Sequence, residues 1–95
     1  MTAAFDLREG WALDDRVALR PESFGALAYH FGTRRLSFLK HPQLVRVVET
    51  LRDHATAQAA VDAAGVEDER RDAIFGALAT LADTGMIVPR PGAAR

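Results

Sequence analysis

A chain of 95 residues closes one hydrophobic core and leaves no material for a second domain or for a deep catalytic pocket. Its 48% apolar and 26% charged residues are those of a folded globular protein and exclude a disordered linker. The formal net charge of −1 supplies no global field toward nucleic acid or an anionic membrane, and the absence of cysteine excludes disulfides, a thiolate nucleophile and a self-held iron–sulfur cluster.

Residues 1–10 carry Asp6, Arg8 and Glu9 and no apolar run, so they are not a signal peptide. With no stretch near the roughly 20 apolar residues of a membrane span, the expectation is a soluble cytoplasmic protein without a membrane contact. Residues 1–10 read as a flexible N-terminus, 11–90 as the domain and 91–95 as a flexible tail.

The domain changes period once, from two to 3.6, which predicts an α+β fold: a three-stranded antiparallel sheet followed by three helices, similar to a winged helix-turn-helix. Trp11 and Leu13 pack at its start. A first strand, Arg16 to Arg20, presents Val17 and Leu19 and returns through Pro21-Glu22-Ser23. Leu27, Tyr29 and Phe31 then alternate with Ala26, Ala28 and His30, and Leu36 and Phe38 alternate with Arg35, Ser37 and Leu39. Gly32-Thr33 between the two runs suits a type II′ turn. That turn sets Phe31 opposite Arg34, Tyr29 opposite Leu36 and Leu27 opposite Phe38, so the large apolar residues share one face and Leu39 lies on the other.

The first helix runs from Pro42 to about Asp53 with Leu44, Val45, Val48 and Leu51 as its buried stripe. Thr56 caps a second, whose small face is Ala57, Ala60, Val61 and Ala64, and Gly65 ends it. The third extends from Asp68 to Gly85, with Met86 over its last turn and a short extended tail, Ile87-Val88.

No residue set reads as catalytic or metal-binding: His30, His41 and His54 share no face with a second ligand, and Asp14-Asp15 and Glu67-Asp68-Glu69 read as solvated or capping carboxylates. Arg34-Arg35 and Arg70-Arg71 are candidate phosphate contacts of a winged-helix DNA binder, the competing reading. The acidic first turn of the third helix gives the wrong sign for that role. The third strand is the informative element. Under the type II′ register, Arg34, Leu36 and Phe38 direct their backbone groups at the second strand, and Arg35, Ser37 and Leu39 direct theirs outward from an open edge. Arg34, Arg35 and Lys40 either protect that edge or flank a docking place for a peptide strand. The third helix has a wide apolar stripe, Ile74 and Leu81 to one side of Leu78, Phe75 and Ala82 to the other, with Arg71 on the Phe75 side.

Three segments, VALRPESFG at 17–25, ALAYHFGTRRLSFL at 26–39 and LATLADTGMIV at 78–88, resemble the peptide-recognition domain of systems that make modified ribosomal peptides. The chain is most similar there to the mycofactocin-system peptide chaperones, relatives of the pyrroloquinoline-quinone peptide chaperones. The resemblance covers residues 11–90. It implies a protein without catalytic residues or cofactor that binds the leader of a precursor peptide as an added strand between the third strand and the third helix. It further implies presentation to a radical S-adenosylmethionine maturase. Carried onto this sequence, the strand contact falls on Arg35, Ser37 and Leu39 and the helix contact on Arg71, Phe75, Leu78 and Ala82. Leu39 is then expected to be a groove anchor dispensable for folding.

Overall fold

The computed structural model describes residues 4–90; the expected tail at 91–95 and the first three residues of the expected flexible N-terminus lie outside them. In chain order the elements are β1 (Trp11–Leu13), β2 (Val17–Glu22), β3 (Gly25–His30), β4 (Leu36–Leu39), α1 (Pro42–Thr50), a 3-10 turn (Leu51–Asp53), α2 (Ala57–Ala63), α3 (Asp68–Asp83) and β5 (Ile87–Pro89). The order β2-β3-β4 forms a three-stranded antiparallel sheet, and the three helices follow it, as the change of period predicts. The extended tail is more than a tail: β5 pairs with β1, Ala12 opposite Val88, in a separate two-stranded ribbon that the sequence reading did not contain.

β2 runs through Pro21, which pairs with Ala26, instead of ending before it. A proline persists there because its missing N–H would point away from β3. Ser23-Phe24 makes the turn. Gly25 follows with φ 147°, and a side chain on it would collide with the Leu39 carbonyl, so β3 and β4 meet closely only because this residue is glycine.

The β3–β4 register is the expected one, Tyr29 opposite Leu36 and Leu27 opposite Phe38. The turn is not. The His30 carbonyl accepts the Arg34 N–H at 2.7 Å and the His30 N–H donates to the Arg35 carbonyl at 3.0 Å, so the loop is four residues, Phe31 to Arg34. Arg34 takes the left-handed conformation (φ 64°) that a type II′ turn would have placed on Gly32. His30 is the cause: its Nδ1 accepts the amides of Gly32 and Thr33, both at 3.0 Å, and curls the chain into the wider loop. Closing on His30–Arg35 keeps every cross-strand partner but exchanges the hydrogen-bonded with the non-bonded pairs. His30–Arg35, and by alternation Ala28–Ser37 and Ala26–Leu39, now exchange the ladder bonds. The main-chain groups that leave the sheet are those of Leu36 and Phe38, the reverse of the expected direction.

The faces are inverted as well. Ala26, Ala28, His30 and Leu39 point into the core, and Leu39 is 1% exposed, whereas Leu36 and Phe38 stand in solvent. The sheet's small residues suffice because the bulk comes from elsewhere: Leu44, Val47 and Val48 of α1, Leu51, Leu78 and Leu81 of α3, Trp11, Met86 and Ile87. Alanines on β3 let α1 approach the sheet closely.

Capping follows the sequence in the helical half. Thr56 Oγ1 accepts the Ala59 amide at 3.0 Å, Gly65 ends α2 at φ 71°, and Gly85 (φ 76°) lets Met86 N–H bond back to the Leu81 carbonyl at 2.9 Å. The cap of α1 is His41, whose Nδ1 accepts the Gln43 amide at 3.1 Å. Residues 5–10, placed outside the domain by the sequence reading, dock on it. Ala57 and Gln58 donate to the Glu9 and Leu7 carbonyls at 2.9 Å, and the Trp11 indole N–H donates to the Asp6 carbonyl at 2.9 Å. Phe5 rests on the Trp11 ring, centroids 5.3 Å apart.

Candidate functional site

An edge strand is a row of unpaired donors and acceptors, and the sheet has two edges, β2 and β4. They are not equivalent. On the β2 side the Phe31 N–H donates to the Arg16 carbonyl at 2.8 Å, so by alternation Val17, Leu19 and Pro21 face outward. The Val17 N–H is taken by the Asp14 carbonyl at 2.9 Å and Pro21 has no N–H, which leaves Leu19 as the one outward donor of β2 without a partner among the described residues. On β4, Leu36 and Phe38 present both donor and acceptor outward, and no main-chain bond outside the ladder reaches either among the described residues. β4 is the receptive edge.

The groove beside it has α3 as its far wall. At one end Arg35 and Thr33 face Ala82, Asp83 and Thr84 around a depression of about 700 Å³. At the other, Lys40, His41 and Leu44 face Arg70, Ala73, Ile74 and Ala77 around one of about 190 Å³. α3 therefore runs antiparallel to β4, with Arg70, Ala73 and Ala77 on the near side at helical spacing. Ala73 is exposed and Ala77 half-buried, so α3 presents short side chains at this end. The Arg70 guanidinium lies against the His41 ring and also meets Glu67 at 3.2 Å.

The residues carried over by resemblance separate into three groups. Arg35 is exposed and Ser37 half-buried on the side of β4 turned toward α3, so both border the groove by side chain, although their main chains bond inward to β3. Leu39 (1%), Leu78 (0%) and Ala82 (2%) are core residues, and of the three only Ala82 borders a depression, the one facing Arg35. The expectation of a dispensable Leu39 therefore fails. Arg71 and Phe75 lie on the other flank of α3. The Arg71 guanidinium pairs with Asp62 at 2.6 Å and stands 5.6 Å over the Phe75 ring, and Phe75 lines a shallow depression with Phe5 and Leu7 of the N-terminal segment. The sequence reading does not single out the outward pair Leu36 and Phe38, nor Arg70, Ala73 and Ala77, which the fold places beside that edge. An alanine stripe carries no chemical signature, and only the i, i+3, i+7 spacing from Arg70 could have marked it.

At the closed end of the hairpin, Asp14 collects the Arg16 amide at 2.8 Å and the Arg16 guanidinium at 3.2 Å, and these bonds hold its carboxyl below the ordinary range. Its second oxygen faces His30 Nε2 at 3.8 Å. With Nδ1 occupied by two amides, the proton of the neutral His30 ring sits on Nε2, toward that carboxylate. The cluster sets the shape of the loop and offers no open coordination site: among the described residues no group of His, Asp or Glu is arranged to hold a metal ion. Among the described residues no helix is long and apolar enough to cross a membrane.

A family model described as the peptide chaperone MftB family matches residues 10–88. A protein of Mycobacterium tuberculosis named peptide chaperone MftB is 49% identical over 89 residues, covering 94% of this chain and 82% of the relative. Proteins with the same name from Mycobacterium ulcerans and Mycolicibacterium smegmatis are each 51% identical, over 92% and 90% of this chain and 80% and 83% of their own. No solved structure matches.

Proposed function

The chain belongs to the peptide chaperone MftB family, and we propose that it is a non-catalytic chaperone that captures the leader of a ribosomally made precursor peptide as an added strand on β4. On this reading it presents the peptide to a radical S-adenosylmethionine maturase, in mycofactocin biosynthesis. The observation that carries the reading is the asymmetry of the two edges: Leu36 and Phe38 hold both donors and acceptors outward, while β2 lacks two of its three outward donors, one at Pro21 and one in the Val17–Asp14 bond.

An incoming strand pairs with the main chains of Leu36 and Phe38 through four hydrogen bonds. Its alternate side chains enter the groove past Arg35 and Ser37 toward Arg70, Ala73 and Ala77. At about 0.5–1.5 kcal/mol each, the four bonds supply roughly 2–6 kcal/mol. Ordering the three peptide residues they span costs roughly 1–2 kcal/mol apiece. The two terms nearly cancel, so the net affinity comes from side chains entering the groove, and the bonds set direction and register. The chain has no cysteine, so it holds no cluster thiolate, and the chemistry is the partner's.

Titration of the isotope-labelled protein with the leader peptide tests the reading. The largest amide shifts are expected at Leu36, Phe38, Ala73 and Ala77; shifts centred on Leu19 or on Phe75, or none at all, would refute it. Omitting the protein from a reconstituted maturation reaction is expected to abolish or greatly slow modification, and unchanged turnover sinks the chaperone role.

A further inference from the structure

The face of the sheet turned away from the helices carries Leu27, Tyr29, Leu36 and Phe38, with Phe24 and Phe31 at its borders. Phe31 is 61% exposed, Phe38 59%, Leu36 57% and Phe24 38%. The rings are already arranged, Phe24 edge-on to Phe38 at 5.9 Å and Tyr29 edge-on to Phe31 at 5.1 Å. Soluble proteins seldom leave so contiguous an apolar patch in water without a use for it. The capture site does not use it up, since a strand added to β4 lies beside this face and leaves it uncovered.

Charge limits what covers it. At roughly 200 Å² for a fully exposed side chain of this size, the four most exposed residues leave on the order of 400 Å² in water. A stable protein–protein contact takes about 800 Å² from each partner, so these residues form the apolar centre of a contact that extends onto the surrounding rim. The border is cationic. Arg34 and Lys40 end β4 without a carboxylate partner among the described residues, and Arg20 on β2 shares only Glu22. A symmetric pair of these faces would set like charges around its own rim.

We propose that this outer face docks a folded protein partner that presents an apolar surface bordered by carboxylates. On the reading above, on which this inference rests, that partner is the enzyme that modifies the captured peptide. Because the face adjoins β4, the peptide and the enzyme then sit on one continuous surface, the strand at its edge.

The test uses the purified maturase and the leader peptide as separate probes, each titrated into the full chain. The double variant Phe24→Ser/Phe31→Ser leaves β4 intact and is expected to lose at least tenfold in affinity for the enzyme, about 1.4 kcal/mol, with peptide affinity unchanged within twofold. Two single variants test charge: Phe31→Glu should lose more enzyme affinity than Phe31→Lys. Unchanged enzyme affinity in the double variant, or equal loss in Glu and Lys variants, overturns the proposal. So does a parent protein that sediments as a dimer the double variant dissociates, or one that the variant releases from anionic phosphatidylglycerol vesicles. A parent that binds the enzyme but not the peptide leaves the docking face standing and defeats the chaperone reading instead.

Discussion

Proline at two adjacent positions of β4 separates the ladder from the edge. Leu36→Pro removes an N–H that points out of the sheet, and the side chain it deletes is 57% exposed, so the free domain loses no ladder bond and little burial. Ser37→Pro removes a donor to the Ala28 carbonyl. That bond is worth about 0.5–1.5 kcal/mol, and the orphaned carbonyl costs a further 1–3 kcal/mol or so. The ring also meets β3 at the 4.8 Å or so that separates paired strands. The sum, about 2–4 kcal/mol, lowers the melting temperature by roughly 10–30 °C in a domain of this size. Peptide capture responds in the opposite order. In Leu36→Pro the peptide loses one main-chain bond and meets the ring at its closest approach, so affinity should fall more than tenfold while melting stays close to that of the parent. Thermal melts by circular dichroism and calorimetric peptide titrations on both variants decide it. If Leu36→Pro unfolds and Ser37→Pro does not, the hydrogen-bond phase drawn from the His30–Arg35 bond is wrong. If Leu36→Pro folds and binds at full strength, the peptide does not add to β4.

Leu39→Ala removes a side chain that is 1% exposed, and such truncations cost about 2–5 kcal/mol; a urea midpoint within error of the parent would refute its place in the core. Asp14→Asn is expected to lower stability at neutral pH. The folded Asp14 carboxyl titrates below its ordinary value, so its contribution is present above the unfolded value of about 4 and is lost as pH falls through the lower folded value. Urea midpoints of variant and parent should therefore converge on acidification, and a difference that stays constant from pH 7 to pH 2.5 counts against the Arg16 bonds as its source.

How far the sequence led depends on which physical property each feature obeys. Cross-strand partners follow from loop symmetry, and a two-residue loop at Gly32-Thr33 and a four-residue loop at Phe31–Arg34 are centred on the same point, so the register of β3 and β4 was legible although the turn was not. The hydrogen-bond phase depends on loop length, and that length rests on an imidazole nitrogen binding two amides, which no periodicity records. Alternation shows which residues share a face but not which face is inside. Leu27, Tyr29, Leu36 and Phe38 are the greasier set, yet the helices already fill the core and the alanine face goes in. The caps at Thr56 and the stops at Gly65 and Gly85 were legible because each is a local bond or dihedral of one residue. The near wall of the groove was hidden because Ala73 and Ala77 matter by being short.

Pro21 sets a limit on assembly. Two receptive edges on one sheet would let each copy offer a strand to the next, and a head-to-tail contact of that kind runs on as a filament. With two of the three outward donors of β2 gone, at Pro21 and Val17, β4 is the better provided of the sheet's two edges. Two copies can meet β4 to β4 and, in doing so, exhaust each other; the same is true of one copy and its peptide. Growth by strand pairing through β2 is thereby weakened, and a Pro21→Val replacement would return one of its missing donors.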